Sequence, residues 1–269
     1  KYGAIRIGES MMDSCIKIKA TPEKCSWKRL GYINDINALA YSSNYYQYII
    51  AIRLGNGNYQ YDRSLSLDSE AFSKYRDMYA SFGLGVKTGI DLPVESLGYS
   101  GKSTLPGHLL DFSIGQYDTY TPIQIMQYIN TIANGGKRYK MNFLKEVISD
   151  DGEVIYSFKP KILNSVNTDE IYMRRIQEGF YAVMHMRGGY GRGYVEDRLD
   201  AAGKTGTSQS FLDTDNNGII DTETITSSFI GYAPSNNPKM SVVVISPDSS
   251  HPNSNIDYRS QVTYYLTQQ

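Results

Sequence analysis

A strand that carries an amine, two hydroxyls and a glycine can hold a peptide ending in a carboxylate. This chain offers one in AAGKTGTSQS, residues 201–210. The amine of Lys204 and the hydroxyls of Thr205 and Thr207 suit a carboxylate. Gly206 lets a second backbone come close, and the free amides of an edge strand pair with a peptide main chain. A second Lys-Thr-Gly lies upstream, at Lys87, Thr88 and Gly89 in GLGVKTGIDLP. Glycines precede it and Pro93 follows, so it reads as a turn. At most one copy can line a cleft, and the chemistry selects the second. A further cluster of hydroxyl and amide groups is Ser42-Ser43-Asn44. On its own it reads as a helix ending, because such side chains bond their own backbone and favour turns.

The elements that must position these groups mix helix and strand. NDINALAYSSN places Asn34 as an N-cap before an apolar face at Ile36, Leu39 and Ala40, with the helix stopping at Ser42-Ser43-Asn44. YYQYIIAIRL predicts a second helix ending at Gly55. A third is predicted from Ser69 to Phe82, a fourth after the Thr121-Pro122 cap in IQIMQYINTIANGG, and a long fifth from Thr168. KIKA, Lys17 to Ala20, alternates as a strand does. The region from Gly83 through GYSGKSTLPG reads as loop, and EVISDDGEVIYSF as a hairpin with Asp-Gly at its turn. The last quarter, AAGKTGTSQSF, ITSSFIGYAPSNNPKMSVVVISP and the amphipathic IDYRSQVTYYLTQQ, reads strand, strand, turn, strand, helix. Helices in the middle and a terminal meander imply an α+β fold.

Composition sets the outer bounds. The 269 residues suffice for one large domain or two modest ones, and 41% hydrophobic with 20% charged residues is ordinary for a folded protein. A net charge of −1 excludes a general nucleic-acid binder, whose basic footprint would be plain. The longest purely apolar runs, such as VVVI at 242–245, are a handful of residues and fall far short of the roughly 20 that span a bilayer. Cys15 and Cys25 are open to two readings: a pair of small buried apolar side chains, or a disulfide outside the cytoplasm. The opening KYGAIRIGES reads as the middle of a protein.

Ser42-x-Asn44 and Lys204-Thr205-Gly206 match two of the three elements Ser-x-x-Lys, Ser-x-Asn and Lys-Thr-Gly of the penicillin-interacting serine enzymes. Around them stand FGLGVKTGIDLP (82–93), SIGQYDTYTPIQIMQYINTIANGG (113–136), AGKTGTSQSF and FIGYAP. In this order they resemble the class B penicillin-binding proteins, the peptidoglycan D,D-transpeptidases, over nearly the whole chain. The resemblance implies a penicillin-binding/serine β-lactamase-like transpeptidase fold across residues 1–269, an antiparallel sheet flanked by helices plus a helical subdomain. It makes the first Lys-Thr-Gly a structural loop. It implies a serine acyl-enzyme formed on D-Ala-D-Ala stem peptides and trapped by β-lactams, with no required cofactor. It also implies work on the outer face of the bacterial cytoplasmic membrane, an anchor upstream, and partners such as a glycosyltransferase or a division or elongation protein. By the same resemblance Ser42 passes a proton toward the leaving amine and Asn44 bonds the substrate's amide. Lys204 supplies positive potential, and Thr205 and Thr207, flanking Gly206, bind the terminal carboxylate. The Thr207 amide completes the oxyanion hole.

The nucleophile departs from the pattern. The family's Ser-x-x-Lys precedes Ser-x-Asn by more than the 41 residues that stand before Ser42. One formal match exists, Ser14-Cys15-Ile16-Lys17, but it leads into an alternating strand pattern. A nucleophile of this kind needs a helix start, which sets Lys one turn after Ser on the same face. The serine is therefore expected upstream of Lys1 with the first core strands and the central helix, and the chain alone is expected to fold poorly. Two alternatives share the fold: a D,D-carboxypeptidase or β-lactamase, and a non-catalytic penicillin-sensing or scaffold domain. One motif stays outside this chemistry, DTDNNGIIDTET at 213–224. Asp213, Asp215, Asn217, Gly218 and Asp221 occupy positions 1, 3, 5, 6 and 9 of an EF-hand-type loop, but Thr224 stands where the bidentate Glu belongs. It reads as a polar hairpin loop or as a weak calcium site.

Overall fold

The computed structural model describes residues 1–250 and 258–267. Short polar caps fix the helix starts that follow Asn34, Ser43 and Thr121. Asn34 caps α1 (Asp35–Ala40), its side chain accepting the Asn37 amide, and Ser43 caps α2 (Asn44–Leu54) by accepting from Tyr46. Ser42-Ser43-Asn44 thus ends one helix and begins the next. A glycine in the left-handed region, Gly83 (φ 107), closes α3 (Glu70–Phe82), where a Cβ would be strained. The helix α4 (Pro106–Ser113) follows, then α5 (Pro122–Ala133), which opens on a capping box between Thr121 and Gln124. After it comes the long α6 (Glu170–His185). The terminal α7 (Tyr258–Thr267) bears out the final helix, while Ile256, Asp257, Gln268 and Gln269 of that stretch lie outside the described residues.

Strands are short until the end. β1 (Met11–Met12) pairs with β4 (Tyr32–Ile33), and β2 (Cys15–Ile16) with β3 (Lys24–Cys25). The strand expected over Lys17–Ala20 is therefore reduced: the ladder with β3 ends at Ile16, Ile18 keeps one bridge to Arg63, and Ala20 turns the chain at φ 60. Cys15 and Cys25 face each other across that pair and form a disulfide. β5 (Lys137–Tyr139) pairs with β8 (Ile162–Ser165) around the expected hairpin of β6 (Glu146–Ile148) and β7 (Val154–Ser157). β9 (Ala202–Leu212), β10 (Thr222–Ala233) and β11 (Met240–Ser250) form an antiparallel sheet in the order β11-β10-β9. β9 is thus an edge strand among the described residues, with its outer amides free of sheet partners.

Two apolar clusters carry the architecture. The helical one joins Tyr48, Ala51 and Ile52 of α2 to Phe72 of α3 and Leu109, Leu110 and Phe112 of α4. The other seats Phe82, Ile129, Ile132, Met173 and Phe180 against Ala202 and Tyr232 of the sheet. Burying such side chains contributes about 1.5–3 kcal/mol each. Among the described residues no helix is long and apolar enough to cross a membrane.

Candidate active site

α6 brings the two halves of the site together. Its Arg175 makes a bidentate pair with Asp35 at the start of α1, both contacts at 2.8 Å. Hydrogen bonds from Arg175 and the Gly8 amide outweigh burial and hold the Asp35 carboxyl below its usual range. One turn on, a Cβ on Gly179 would stand 2.3 Å from Leu39 Cδ1, so a side chain there would force Leu39 of α1 to turn aside. The far end of α6 ties to the strand: His185 Nε2 lies 2.8 Å from the carbonyl of Ala201. The following turn returns to α1, where the Tyr190 amide donates to Ala40 O at 3.0 Å.

That scaffold sets Ser42 opposite β9. Ser42 has φ 54, left-handed for a non-glycine residue, because it is the residue on which α1 closes, with Ser42 N donating to Leu39 O and Ser43 N to Ala38 O. The Lys204 amine donates to Ser42 Oγ at 2.9 Å and to the Thr205 carbonyl at 2.8 Å. With its oxygen occupied, the Ser42 hydroxyl has a proton to give elsewhere. Desolvation pushes the Lys204 amine down to about 8, because burial disfavours the charged form. Asn44 lies at the first turn of α2, its Nδ2 donating to Cys25 O at 3.2 Å. This leaves its Oδ1 as the acceptor.

The remaining residues of the strand differ among themselves. Thr205 is buried and Thr207 exposed. A Cβ on Gly206 would sit 2.4 Å from the hydroxyl of Ser228, its register partner on β10, and would turn that hydroxyl aside. The first Lys-Thr-Gly has other partners altogether. Thr88 is fully buried, its amide donates to Glu95 Oε1 at 2.5 Å, and its carbonyl accepts from Gln127 Nε2 at 3.0 Å. Arg138 braces Gln127 Oε1 at 3.0 Å and the Lys87 carbonyl at 3.3 Å. Buried amide side chains thus hold it as a loop.

Ser14 is not poised as a nucleophile. It lies between β1 and β2, and Lys17 Nζ donates to the Thr21 carbonyl at 2.5 Å. In the loop between β9 and β10, ligand oxygens of Asp213, Asp215 and Asp221 come within 4.8 Å of one another. Asn217 folds over them, its amide donating to Asp215 and its carbonyl accepting from Ile219. Thr224 turns away to the carboxylate of Asp248. The three carboxylates lie close enough to share one cation, the Asn217 carbonyl already accepts from Ile219, and Thr224 points to Asp248. Sequence reasoning missed Arg175, Gly179 and His185, whose only signal was their place on a long helix.

A Ser-x-Asn turn facing a Lys-Thr-Gly edge strand within an α+β fold defines the penicillin-interacting class of serine enzymes. Residues 3–267 match the family model "Penicillin binding protein transpeptidase domain", and the chain belongs to that family as a transpeptidase domain of the class B penicillin-binding proteins. It is 41% identical over 251 residues to penicillin-binding protein 2A of Bacillus subtilis, covering 91% of this chain and 35% of that protein. It is 31% identical over 263 residues to penicillin-binding protein 2B of Streptococcus pneumoniae, covering 93% and 38%. The solved structure of penicillin-binding protein 2B from strain R6 of that organism superposes with a TM-score of 0.85 at 28% identity, over 98% of this chain and 44% of that one. The chain therefore spans little more than a third of the curated relatives' length.

Proposed function

We propose that this chain supplies two of the three catalytic elements of a peptidoglycan D,D-transpeptidase that works through a serine acyl-enzyme and is inhibited by β-lactams. The 2.9 Å contact between Lys204 Nζ and Ser42 Oγ carries the reading, since it joins Ser-x-Asn to Lys-Thr-Gly across one cleft. A serine outside these 269 residues, its proton taken by its own lysine, attacks the carbonyl of a D-Ala-D-Ala stem peptide. Ser42 relays a proton to the departing D-alanine amine, and Asn44 Oδ1 accepts from the peptide's amide. The Lys204 ammonium and Thr207 face the terminal carboxylate, and the Thr207 amide pairs with that of the serine to hold the oxyanion. The amine of a second stem peptide then takes the acyl group, cross-linking two strands on the outer face of the cytoplasmic membrane. A glycosyltransferase or a division or elongation protein is the partner that such work calls for.

The test is the intact mass of the full-length protein after a short incubation with benzylpenicillin, followed by peptide mapping. One stable adduct, mapped to a serine outside residues 1–269, is the expected result. An adduct on Ser14 would overturn the placement of the nucleophile. Turnover of penicillin without a stable adduct would favour a β-lactamase, and intact penicillin with unmodified protein a non-catalytic domain.

The reaction as proposed needs no metal. For the 213–221 loop the reading is a weak calcium site on Asp213, Asp215 and Asp221, with Asn217 folded over it, that orders the hairpin beside the active-site strand. Millimolar calcium is expected to raise the melting temperature of the full-length protein relative to chelator, and Asp213→Asn to remove the difference. Equal melting temperatures would leave a polar hairpin.

A further inference from the structure

Three amides at the start of α2 need acceptors, and none comes from within the helix. Two serine oxygens supply them. Ser43 Oγ accepts from Tyr46 N at 3.1 Å, and Ser26 Oγ accepts from Asn44 N at 3.1 Å and Tyr45 N at 3.2 Å. Both hydroxyl protons then converge on one atom. Asp13 Oδ2 accepts from Ser43 at 2.7 Å and from Ser26 at 2.8 Å. Asp13, Ser26 and Ser43 are all buried, at 7%, 9% and 3% exposure, and the Asp13 amide is itself tied to Gly31 O at 2.8 Å.

We infer that Asp13 is a positioning residue for the Ser42-Ser43-Asn44 motif. A hydroxyl rotor left alone takes several orientations. A carboxylate, which only accepts, fixes both rotors so that the serine oxygens face the helix amides. Its negative charge also lies at the positive end of α2, where it is favoured. Ser42 takes its left-handed turn from the end of α1, where Ser42 N donates to Leu39 O and Ser43 N to Ala38 O; the relay pins Ser43 and Asn44, the two residues that follow it. Asn44 is held with its amide group on Cys25 O and its carbonyl available. The Cys15–Cys25 disulfide lies beside the relay, with Asp13 two residues before Cys15 and Ser26 directly after Cys25.

The inference rests on the transpeptidase reading for its kinetic consequence, and the experiment separates the two. In the full-length protein, Asp13→Ala is expected to slow acylation by benzylpenicillin roughly ten- to a hundredfold, as small misplacements of reacting groups do. The loss should fall on the acylation step more than on initial binding. Asp13→Asn keeps an acceptor oxygen for both serines and is expected to restore most of the rate. Hydrogen exchange is the second readout. The Asn44–Tyr46 amides should exchange about fivefold faster in Asp13→Ala, the loss of a helix cap, while the amides of Ile50–Leu54 stay as they were. Where Asp13→Ala does not fold, Ser26→Ala tests the same relay with a smaller change and the same expected signs. Full-rate acylation together with unchanged exchange at Asn44–Tyr46 would overturn the inference. Uniformly faster exchange along α2, with no rescue by Asn, would reduce Asp13 to a general stabilising residue and overturn it too. A wild-type protein that never acylates would sink the transpeptidase reading, while the exchange pattern would still decide the role of Asp13.

Discussion

Full-length protein carrying Lys204→Met is expected to be acylated by benzylpenicillin roughly a hundred- to a thousandfold more slowly than wild type, the loss seen when one preorganised electrostatic donor is removed. Lys204 is the one cation that bonds Ser42 among the described residues, and its amine lies in a desolvated position. Charge acts more strongly there than at the surface. The same desolvation makes the effect pH-dependent, because the amine is pushed down to about 8. Below that value it is an ammonium and attracts the antibiotic's carboxylate; above it the charge is lost. The second-order acylation rate, which reports on the free enzyme, should therefore fall on the alkaline side through an apparent pKa near 8. Lys204→Arg keeps its charge at all accessible pH, so it should lose that alkaline limb even though its altered reach slows the reaction. Stability moves the other way. Between about 8 and the ordinary lysine value the unfolded chain holds a proton that the folded chain has released, so the stability of wild type relative to Lys204→Met rises with pH across that window. An acylation profile flat from pH 7 to 9.5 would remove Lys204 from the electrostatics of the site.

How far the site could be read in advance depends on the range of the interaction. Helix signals are local, and they were legible: Asn34 and Thr121 cap as their types dictate, and Gly55 and Gly83 stand where helices stop. The distinction between the two Lys-Thr-Gly copies was also legible, because Pro93 and the surrounding glycines make a turn of the first, while the amine, hydroxyls and glycine of the second sit in the strand-rich last quarter. α4 was not, since Leu105-Pro106-Gly107 reads as a turn, and only the packing of Leu109, Leu110 and Phe112 makes it a helix. The parts of the site that tie distant segments together left no local trace. Asp13, Ser26 and Ser43 share no period, and Arg175 meets Asp35 across 140 positions of chain. The cysteine pairing was undecidable from spacing, because it depends on the β2–β3 register. Gly206 illustrates a subtler gap. Its absent side chain suggested room for an incoming peptide, and the structure adds a second neighbour on β10, the Ser228 hydroxyl, that a Cβ there would push aside.

The largest stability effect is expected at a position away from Ser42 and Lys204. Asp118 is buried, with only 1% of its side chain exposed. It accepts from Arg76 Nε and Nη2, both at 2.9 Å, and from the Gly101 amide at 2.9 Å. Arg76 returns to the same loop by donating to the Gly101 carbonyl at 2.7 Å, and its guanidinium lies over the rings of Phe72 and Phe112. The bond to Asp118 raises the pKa of Arg76 further above its ordinary value. Truncating Asp118 therefore does three things at once: it strands a cation against an aromatic cluster, leaves the Gly101 amide without its acceptor, and frees the loop from α3. Breaking a buried pair in this way costs about 3–5 kcal/mol. Arg76 keeps 35% of its side chain in contact with water, so the lower end, about 3 kcal/mol, is the better expectation. For a domain of this size that corresponds to a melting temperature lowered by roughly 6–12 °C. A double-mutant cycle separates the pair from its surroundings: Asp118→Ala with Arg76→Met should cost clearly less than the two single changes added together, because the second removes the stranded charge. Neither residue touches Ser42 or Lys204, so penicillin acylation well below the melting temperature should remain within a few-fold of wild type. Additive losses in the cycle would show that Arg76 and Asp118 act independently, and an acylation defect in folded Asp118→Ala would mean that the helical subdomain reaches into the cleft.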